Sequence, residues 1–332
     1  MVSEVNSSLN MSQEEFLMIR DFIHEKSGIF FAENKMYLVQ NRLEKRMDEL
    51  GMNSVRDYFY HVKYDVSQKE FNRLMVLMTT NETSFYRNEP QLQCFSDEVL
   101  PLILQEKSQS RGIRNLRLWS AGCSTGEEPY TLAILIIERL KLLTGWNIEI
   151  VANDISEDVL HKARIGSYSG ITLRNVPPDI LSRYFIRSGE NYAVSPEVKA
   201  LVKFSQINLN DPQKVAQLSG MDAVFCRNVM IYFSDEVKKQ VVRGFFNSLR
   251  PGGYLYIGHS ETLHGISKAF RLVYFKNALV YRKEADRAHQ PGELEPVEVL
   301  TEEKRVELGG VAGGATRAMD LLSKIKPMTV KR

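Results

Sequence analysis

Apolar residues recur at helical spacing from near the start of the chain. Ser12-Gln-Glu-Glu15 has the form of a capping box, and Phe16, Met18, Ile19, Phe22 and Ile23 follow it at i, i+3 and i+4 intervals. A second helical pattern runs over 34–50 and stops at Gly51, and two more lie near 55–63 and 68–79. The first ninety residues therefore predict a small all-helical unit, and a long helix over 91–108 leads out of it. The period then changes. Residues 115–120 alternate apolar and polar as a strand, and 130–143 return to helical spacing. Strand patterns at 147–154, 202–207, 221–226 and 254–258 alternate with helical ones at 157–165 and 235–249. Such alternation predicts a mostly parallel sheet with right-handed crossovers. A short hairpin-like stretch, 184–202, turns around Ser188-Gly-Glu190, and 270–274 with 278–282 form a terminal antiparallel pair. Beyond Lys283 the chain is charged and carries Gly309-Gly and Gly313-Gly, so 284–332 is expected to be a disordered tail with at most a helical stub near 316–324.

Composition changes this picture little. The 332 residues can bury a full core, and the formal net charge of +2 offers no bulk attraction to nucleic acid or to a membrane. Cys94, Cys123 and Cys226 are far apart and form no C-x-x-C pair, which argues against a disulfide framework or a metal site. The N-terminus has no signal-peptide pattern and no apolar run reaches membrane-span length, so the expectation is a cytoplasmic protein without membrane insertion.

The candidate chemistry begins at Leu118-Trp-Ser-Ala-Gly-Cys-Ser-Thr-Gly-Glu-Glu-Pro-Tyr130. This is a strand, a small-residue turn and a helix start, the first βα turn of a nucleotide-binding sheet. A turn built for pyrophosphate offers bare amides to an anion. Glu127 and Glu128 would repel one and suit a cationic, amino-bearing ligand, and S-adenosylmethionine meets that requirement better than a dinucleotide. Asp154, at the end of the second strand, is placed to accept ribose hydroxyls, although an aspartate there also caps helices. Arg227 and Asn228 interrupt an apolar run at a strand's carboxyl end and need partners or a ligand. Asn208-Leu209 follows the third strand, where it can meet an adenine edge or serve as ordinary loop. Arg87, after two aromatics, can clamp a carboxylate bidentately or form a surface ion pair.

Asn81-Glu-Thr-Ser-Phe-Tyr-Arg87, Ser120-Ala-Gly-Cys-Ser-Thr-Gly-Glu-Glu-Pro-Tyr130, Asn153-Asp154-Ile, Phe225-Cys-Arg-Asn-Val-Met-Ile-Tyr-Phe233 and Pro251-Gly-Gly253 with Gly258-His-Ser-Glu261 occur in order. Together they closely resemble chemotaxis receptor protein-glutamate O-methyltransferases of the CheR type, over about residues 12–283. The resemblance implies an α/β fold of the class I S-adenosylmethionine-dependent methyltransferases, Rossmann-like with a terminal antiparallel hairpin, behind a small all-helical domain. It divides the chain into a receptor-docking unit and linker at 1–90, a methyltransferase domain at 91–283 with a β-subdomain near 184–204, and the tail. It implies methyl transfer to glutamates of receptors, leaving S-adenosylhomocysteine, with no metal. Asn81, Thr83 and Arg87 would contact the cofactor or reacting centre, Glu127 or Glu128 the methionine ammonium, and Asp154 the ribose. Asn208, Leu209, Arg227 and Asn228 would frame the adenine and methionyl portions. Arg87 and Tyr232 are the candidates beside the reacting carboxylate.

The helical unit would dock on the cytoplasmic helical bundle of methyl-accepting receptors, where Arg42, Lys45 and Arg46 form either a basic stripe towards an acidic receptor surface or an ordinary solvated helix face. The compact 184–204 region lacks a long glycine-rich loop, which favours recognition without a receptor tether peptide. A monomer is the default. Competing readings are a methyltransferase for a non-receptor signalling protein and a catalytically silent adaptor that binds the cofactor. The acidic turn and the missing third glycine disfavour a nicotinamide dehydrogenase.

Overall fold

Ser12 opens the first helix as expected. Its hydroxyl accepts from Glu15 N–H at 3.2 Å while the Glu15 carboxylate accepts from Ser12 N–H at 2.9 Å. The computed structural model describes residues 10–109, 114–140 and 145–284. Helices α1 (Gln13–Ser27), α2 (Met36–Leu50), α3 (Val55–Lys63) and α4 (Lys69–Met78) form the N-terminal unit. A 3₁₀ turn, Glu33–Lys35, occupies the positions where α2 was expected to begin. Phe16, Ile19 and Ile23 of α1 meet Val39, Leu43 and Met47 of α2, and Tyr58, Val62, Leu74 and Met78 complete one buried core. Burial of each such side chain contributes about 1.5–3 kcal/mol, far more than helix propensity.

The connecting helix is interrupted. α5 (Glu89–Cys94) and α6 (Leu100–Gln109) flank a π turn, Phe95–Val99. Phe95, in that turn, meets Phe225 and Tyr256 edge-on at 5.2 and 6.1 Å.

The sheet contains β1 (Arg114–Ala121), β2 (Trp146–Asp154), β6 (Val202–Gln206), β7 (Met221–Cys226), β8 (Leu249–Ile257), β9 (Phe270–Tyr274) and β10 (Leu279–Lys283), in the order β6-β2-β1-β7-β8-β10-β9. β1, β2, β6, β7 and β8 run parallel, and β10 pairs antiparallel with both β8 and β9. A second sheet, β3 (Ser167–Tyr168), β4 (Phe185–Ser188) and β5 (Asn191–Val194), has the order β3-β5-β4 and contains the expected hairpin. Helices α7 (Glu127–Leu140), α8 (Glu157–Ile165), α9 (Pro178–Tyr184), α10 (Pro196–Lys199), α11 (Pro212–Val215) and α12 (Asp235–Ser248) connect the strands. Separate apolar clusters cover the two faces of the large sheet. One contains Leu118, Leu132, Ile136 and Phe225, and the other Trp119, Val224, Val242 and Phe245. β7 is buried at every position, as a central parallel strand must be.

Two boundaries differ from expectation for a physical reason. β8 begins at Leu249 and takes in Arg250-Pro-Gly-Gly253, because a register irregularity between Met221 and Ala223 accommodates the extra backbone. The proline-bearing stretch before the hairpin folds into α9 and a 3₁₀ turn, Gly170–Leu173, since proline is tolerated in a helix's first turn.

The two units are joined by backbone contacts. Gly28 ends α1 at φ 79°, and a Cβ there would lie 2.8 Å from Val237 Cγ1. Phe30 N–H donates to the Tyr232 carbonyl at 2.8 Å, and Ile29 bridges Phe233 antiparallel. The tail expected over 284–332 lies outside the described residues from 285 onwards.

Candidate cofactor site

The cleft lies at the carboxyl ends of the parallel strands. Where β1 leaves the sheet, Gly122 turns at φ 75°, and a Cβ there would meet Val229 Cγ2 at 2.6 Å. Only glycine permits that approach. Gly122 and Cys123 N–H both donate to the Asn153 carbonyl at 2.8 Å, which ties the turn to the end of β2. Ser124, at φ 48°, donates its N–H to Asp154 Oδ2 at 2.9 Å, and Ser156 N–H reaches Oδ1 at 3.1 Å. The half-buried Asp154 carboxyl is pushed above its usual range by burial, against the opposing hydrogen bonds from the Ser156, Ser124 and Ile155 amides.

The paired acids diverge. Glu127 is buried at the start of α7, accepts the Thr125 hydroxyl at 2.9 and 2.8 Å, and does not line the cleft. Burial pushes its carboxyl up. Glu128 lines the cleft. Its Oε1 accepts the Ser120 hydroxyl at 2.7 Å and its Oε2 accepts Arg227 Nε at 2.7 Å, with the two side chains 13% and 5% exposed. The structure thus separates two acids that spacing alone left equivalent, because successive residues of a helix point about 100° apart.

Arg227 also donates to the Arg87 carbonyl at 2.8 Å, fixing the segment that joins the two units. Within that segment Phe85 is fully buried between Tyr168 and Phe185, with centroids 4.8 and 5.1 Å away. That anchor explains an arginine after two aromatics, since it leaves Arg87 in the cleft wall, where Nη1 donates to the Glu82 carbonyl at 2.9 Å. Thr83 lines the cleft beside it. Asn81 lines it too, but its side chain donates to the Val76 carbonyl at 3.0 Å and so caps the end of α4.

Tyr232 faces the same space, its hydroxyl 3.3 Å from the Thr80 carbonyl. Asn228, at φ 62°, lines the cleft, as do Asn208 and Leu209. The Asn208 amide is occupied at both ends. It donates to the Lys26 carbonyl at 2.7 Å and accepts Asn210 N–H at 3.0 Å, so that side chain braces α1.

Every expected site residue except Glu127 therefore meets in one cleft. Sequence reasoning missed Ser27, Ile29, Ile155, Ile207 and Phe233, which also line it. Gly28 between Ser27 and Ile29 marks the end of α1, but nothing local shows that Ile29 crosses to the other unit. Among the described residues no group of three or more His, Cys, Asp or Glu is placed to hold a metal.

The basic stripe on α2 differs from expectation. Arg46 forms a fork to Glu70 at 2.9 and 2.7 Å and also meets Glu49 at 2.7 Å. Glu70, 6% exposed, accepts the Tyr58 hydroxyl at 2.9 Å. Arg42 donates to the Met78 carbonyl at 2.7 Å, and burial pushes its pKa down. Lys45 alone of the three is exposed. Two of the stripe's three cations hold the helical unit together.

Carboxylates, where a dinucleotide fold would offer bare amides, at the ends of a mostly parallel sheet that closes on an antiparallel pair define the class as a Rossmann-like methyltransferase. The profile described as "CheR methyltransferase, SAM binding domain" matches residues 81–279, and that described as "CheR methyltransferase, all-alpha domain" matches 14–79. The chain is 35% identical over 274 residues to "Chemotaxis protein methyltransferase 2" of Vibrio cholerae, covering 82% of this chain and 94% of that protein. It is 36% identical over 281 residues to "Chemotaxis protein methyltransferase 1" of Pseudomonas aeruginosa, covering 82% and 99%. With "Chemotaxis protein methyltransferase" of Escherichia coli it shares 33% over 274 residues, 81% and 91% of the two chains. The chain belongs to the CheR methyltransferase family. Its cofactor is S-adenosylmethionine, and the cleft fits that molecule, since Glu128 and Asp154 line it with carboxylates suited to an ammonium and a ribose, while the Arg227 guanidinium beside the turn is taken up by Glu128.

Proposed function

We propose that the protein methylates glutamate side chains of chemotaxis receptors in the cytoplasm, giving glutamate methyl esters and S-adenosylhomocysteine. The observation that carries this reading is the arrangement across the cleft. Glu128 of α7 and Asp154 of β2 line with their carboxylates the same cleft that Arg87 and Tyr232 line. The names of the relatives place such methyltransferases in chemotaxis.

When bound, the cofactor supplies a methyl group on a positively charged sulfur and leaves as a neutral thioether. The protein's residues then need to position rather than activate. A glutamate with a pKa of about 4.3 is already ionised at neutral pH, so no general base is required. Glu128 meets the methionine ammonium, and its pair with Arg227 keeps the carboxylate's direction fixed before the ligand arrives. Asp154 accepts from the ribose. Arg87 spends one N–H on the Glu82 carbonyl and turns the rest of its fork to the incoming carboxylate. Tyr232 adds a hydrogen bond without charge, so the nucleophile is oriented but keeps its reactivity.

Residues 1–90 serve as receptor-docking unit and linker, and 91–283 as the catalytic domain. Lys45 remains as the α2 cation for an acidic receptor surface. The compact subdomain near 184–204 supports recognition without a tether peptide, and a monomer suffices for all of these roles.

The test is incubation with methyl-labelled cofactor and receptor-containing membranes. Label appearing on receptor and released by mild base is expected, because carboxyl methyl esters hydrolyse and methylated amines do not. Base-stable label, or none while S-adenosylhomocysteine still binds, would overturn the glutamate assignment.

A further inference from the structure

Gly258-His-Ser-Glu261 follows β8 and contributes nothing to the lining of the cleft. Its carboxylate nevertheless reaches the loop that does. Glu261 Oε2 accepts Asn228 N–H at 2.9 Å and Gly258 N–H at 2.6 Å, and Oε1 accepts Ile231 N–H at 3.2 Å. Among the described residues Glu261 forms no ion pair, and the hydrogen bonds to its carboxylate come from these three backbone amides. Two of those amides belong to the segment that leaves β7 and carries Asn228 and Tyr232.

That segment cannot hold its own shape. Asn228 sits at φ 62°, a left-handed conformation that costs a non-glycine residue about 1 kcal/mol or more. Met230–Tyr232 is a single 3₁₀ turn, too short to satisfy its own leading amides. On the cleft side Val229 is pressed against Gly122, which blocks movement in one direction only. The helical unit holds the far end of the segment through the Phe30 amide on the Tyr232 carbonyl, and Glu261 supplies the restraint at its start, as a capping carboxylate does at a helix start.

Gly258 is shaped for this contact. A Cβ at that position would lie 2.6 Å from Glu261 Oε2 and 3.0 Å from Asn228 N. The residue at 258 is thus small because the carboxylate and the loop amide meet where its side chain would be.

We infer that Glu261 is a positioning residue for methyl transfer: it clamps the Asn228–Tyr232 loop from behind and thereby sets the Tyr232 hydroxyl against the substrate carboxylate. The inference rests on the glutamate methyltransferase reading and adds a residue that touches neither cofactor nor substrate. Tyr232 acts only as well as its loop is held, so Glu261 and Tyr232 are energetically coupled. Glu128 and Asp154 are fixed by other contacts, so of the expected cofactor-binding residues the clamp bonds directly only to Asn228, and its loss falls on kcat more than on cofactor binding.

A double-mutant cycle on the full chain tests this. Glu261→Gln keeps the shape but turns an amide N–H₂ towards a backbone N–H. It is expected to lower kcat by on the order of tenfold to a hundredfold, while S-adenosylhomocysteine Kd by calorimetry stays within about threefold. Tyr232→Phe lowers kcat in the wild type, but in the Glu261→Gln background its further effect falls to within about twofold. Gly258→Ala, which displaces the carboxylate without changing it, should reproduce the Glu261→Gln phenotype.

Multiplicative effects of Glu261→Gln and Tyr232→Phe overturn the clamp, as does unchanged kcat in both Glu261→Gln and Gly258→Ala. If Glu261→Gln fails to fold, the cycle is run with Gly258→Ala in its place and decides by the same criterion. Wild-type protein that binds S-adenosylhomocysteine but forms no base-labile ester overturns the functional reading and the clamp together. Active wild type with an additive cycle overturns the clamp alone.

Discussion

Asp154 combines two opposed environments, and its titration should be visible in binding. Burial favours the neutral acid while the Ser124 and Ser156 amides favour the anion, and burial is the larger influence. The carboxyl therefore takes up its proton at a higher pH than the ordinary aspartate value of about 3.9. Once protonated it loses acceptor capacity for the ribose. Affinity for S-adenosylhomocysteine should be full above the raised pKa and fall as the pH drops through it. Calorimetry across pH should show that loss beginning above the ordinary aspartate range. Asp154→Asn should bind more weakly throughout, with this acid-side slope flattened. The expected residues that line the cleft were legible as residue types before any coordinates, since acids and lone polar groups at strand ends each demand an explanation. Which way a side chain turns was not. Glu127 and Glu128 are adjacent in sequence, yet one closes on Thr125 and the other opens on the cleft.

At the scale of elements, the periodic helices and strands emerged where the apolar pattern put them, because burial of one face decides them. The departures lie where a local rule met a tertiary one. The π turn at Phe95–Val99 and the entry of Arg250-Pro-Gly-Gly253 into β8 follow from fitting neighbours, which periodicity does not encode. The α2 stripe is a similar case. Read along the helix it is basic and solvated, but in three dimensions Arg46 closes on Glu70, whose side chain is 8% exposed. Arg46→Ala would leave that carboxylate buried without its cation, and should destabilise the protein by about 3 kcal/mol in urea unfolding. The same change should leave S-adenosylhomocysteine affinity unaltered in folded protein. A loss of receptor turnover after charge reversal at Arg46 would thus report a damaged helical unit, whereas Lys45→Glu reports docking itself.

The whole molecule places its helical unit within the cofactor site rather than beside it. Ser27 and Ile29 line the cleft, and the Phe30 amide is bonded to the carbonyl of Tyr232. On the proposed reading, a receptor docked on the helical unit and a donor held in the cleft would share these backbone contacts. By thermodynamic reciprocity, whatever factor the methyl donor contributes to receptor affinity, the receptor must return to the donor. Saturation with S-adenosylhomocysteine should change receptor affinity by several-fold, within the range of about 5- to 150-fold that such coupling spans. Titration in both orders must give one number. On the proposed reading, and where that coupling is positive, a cell running short of its methyl donor would loosen this protein's grip on its receptors, so adaptation would report metabolic state through occupancy alone.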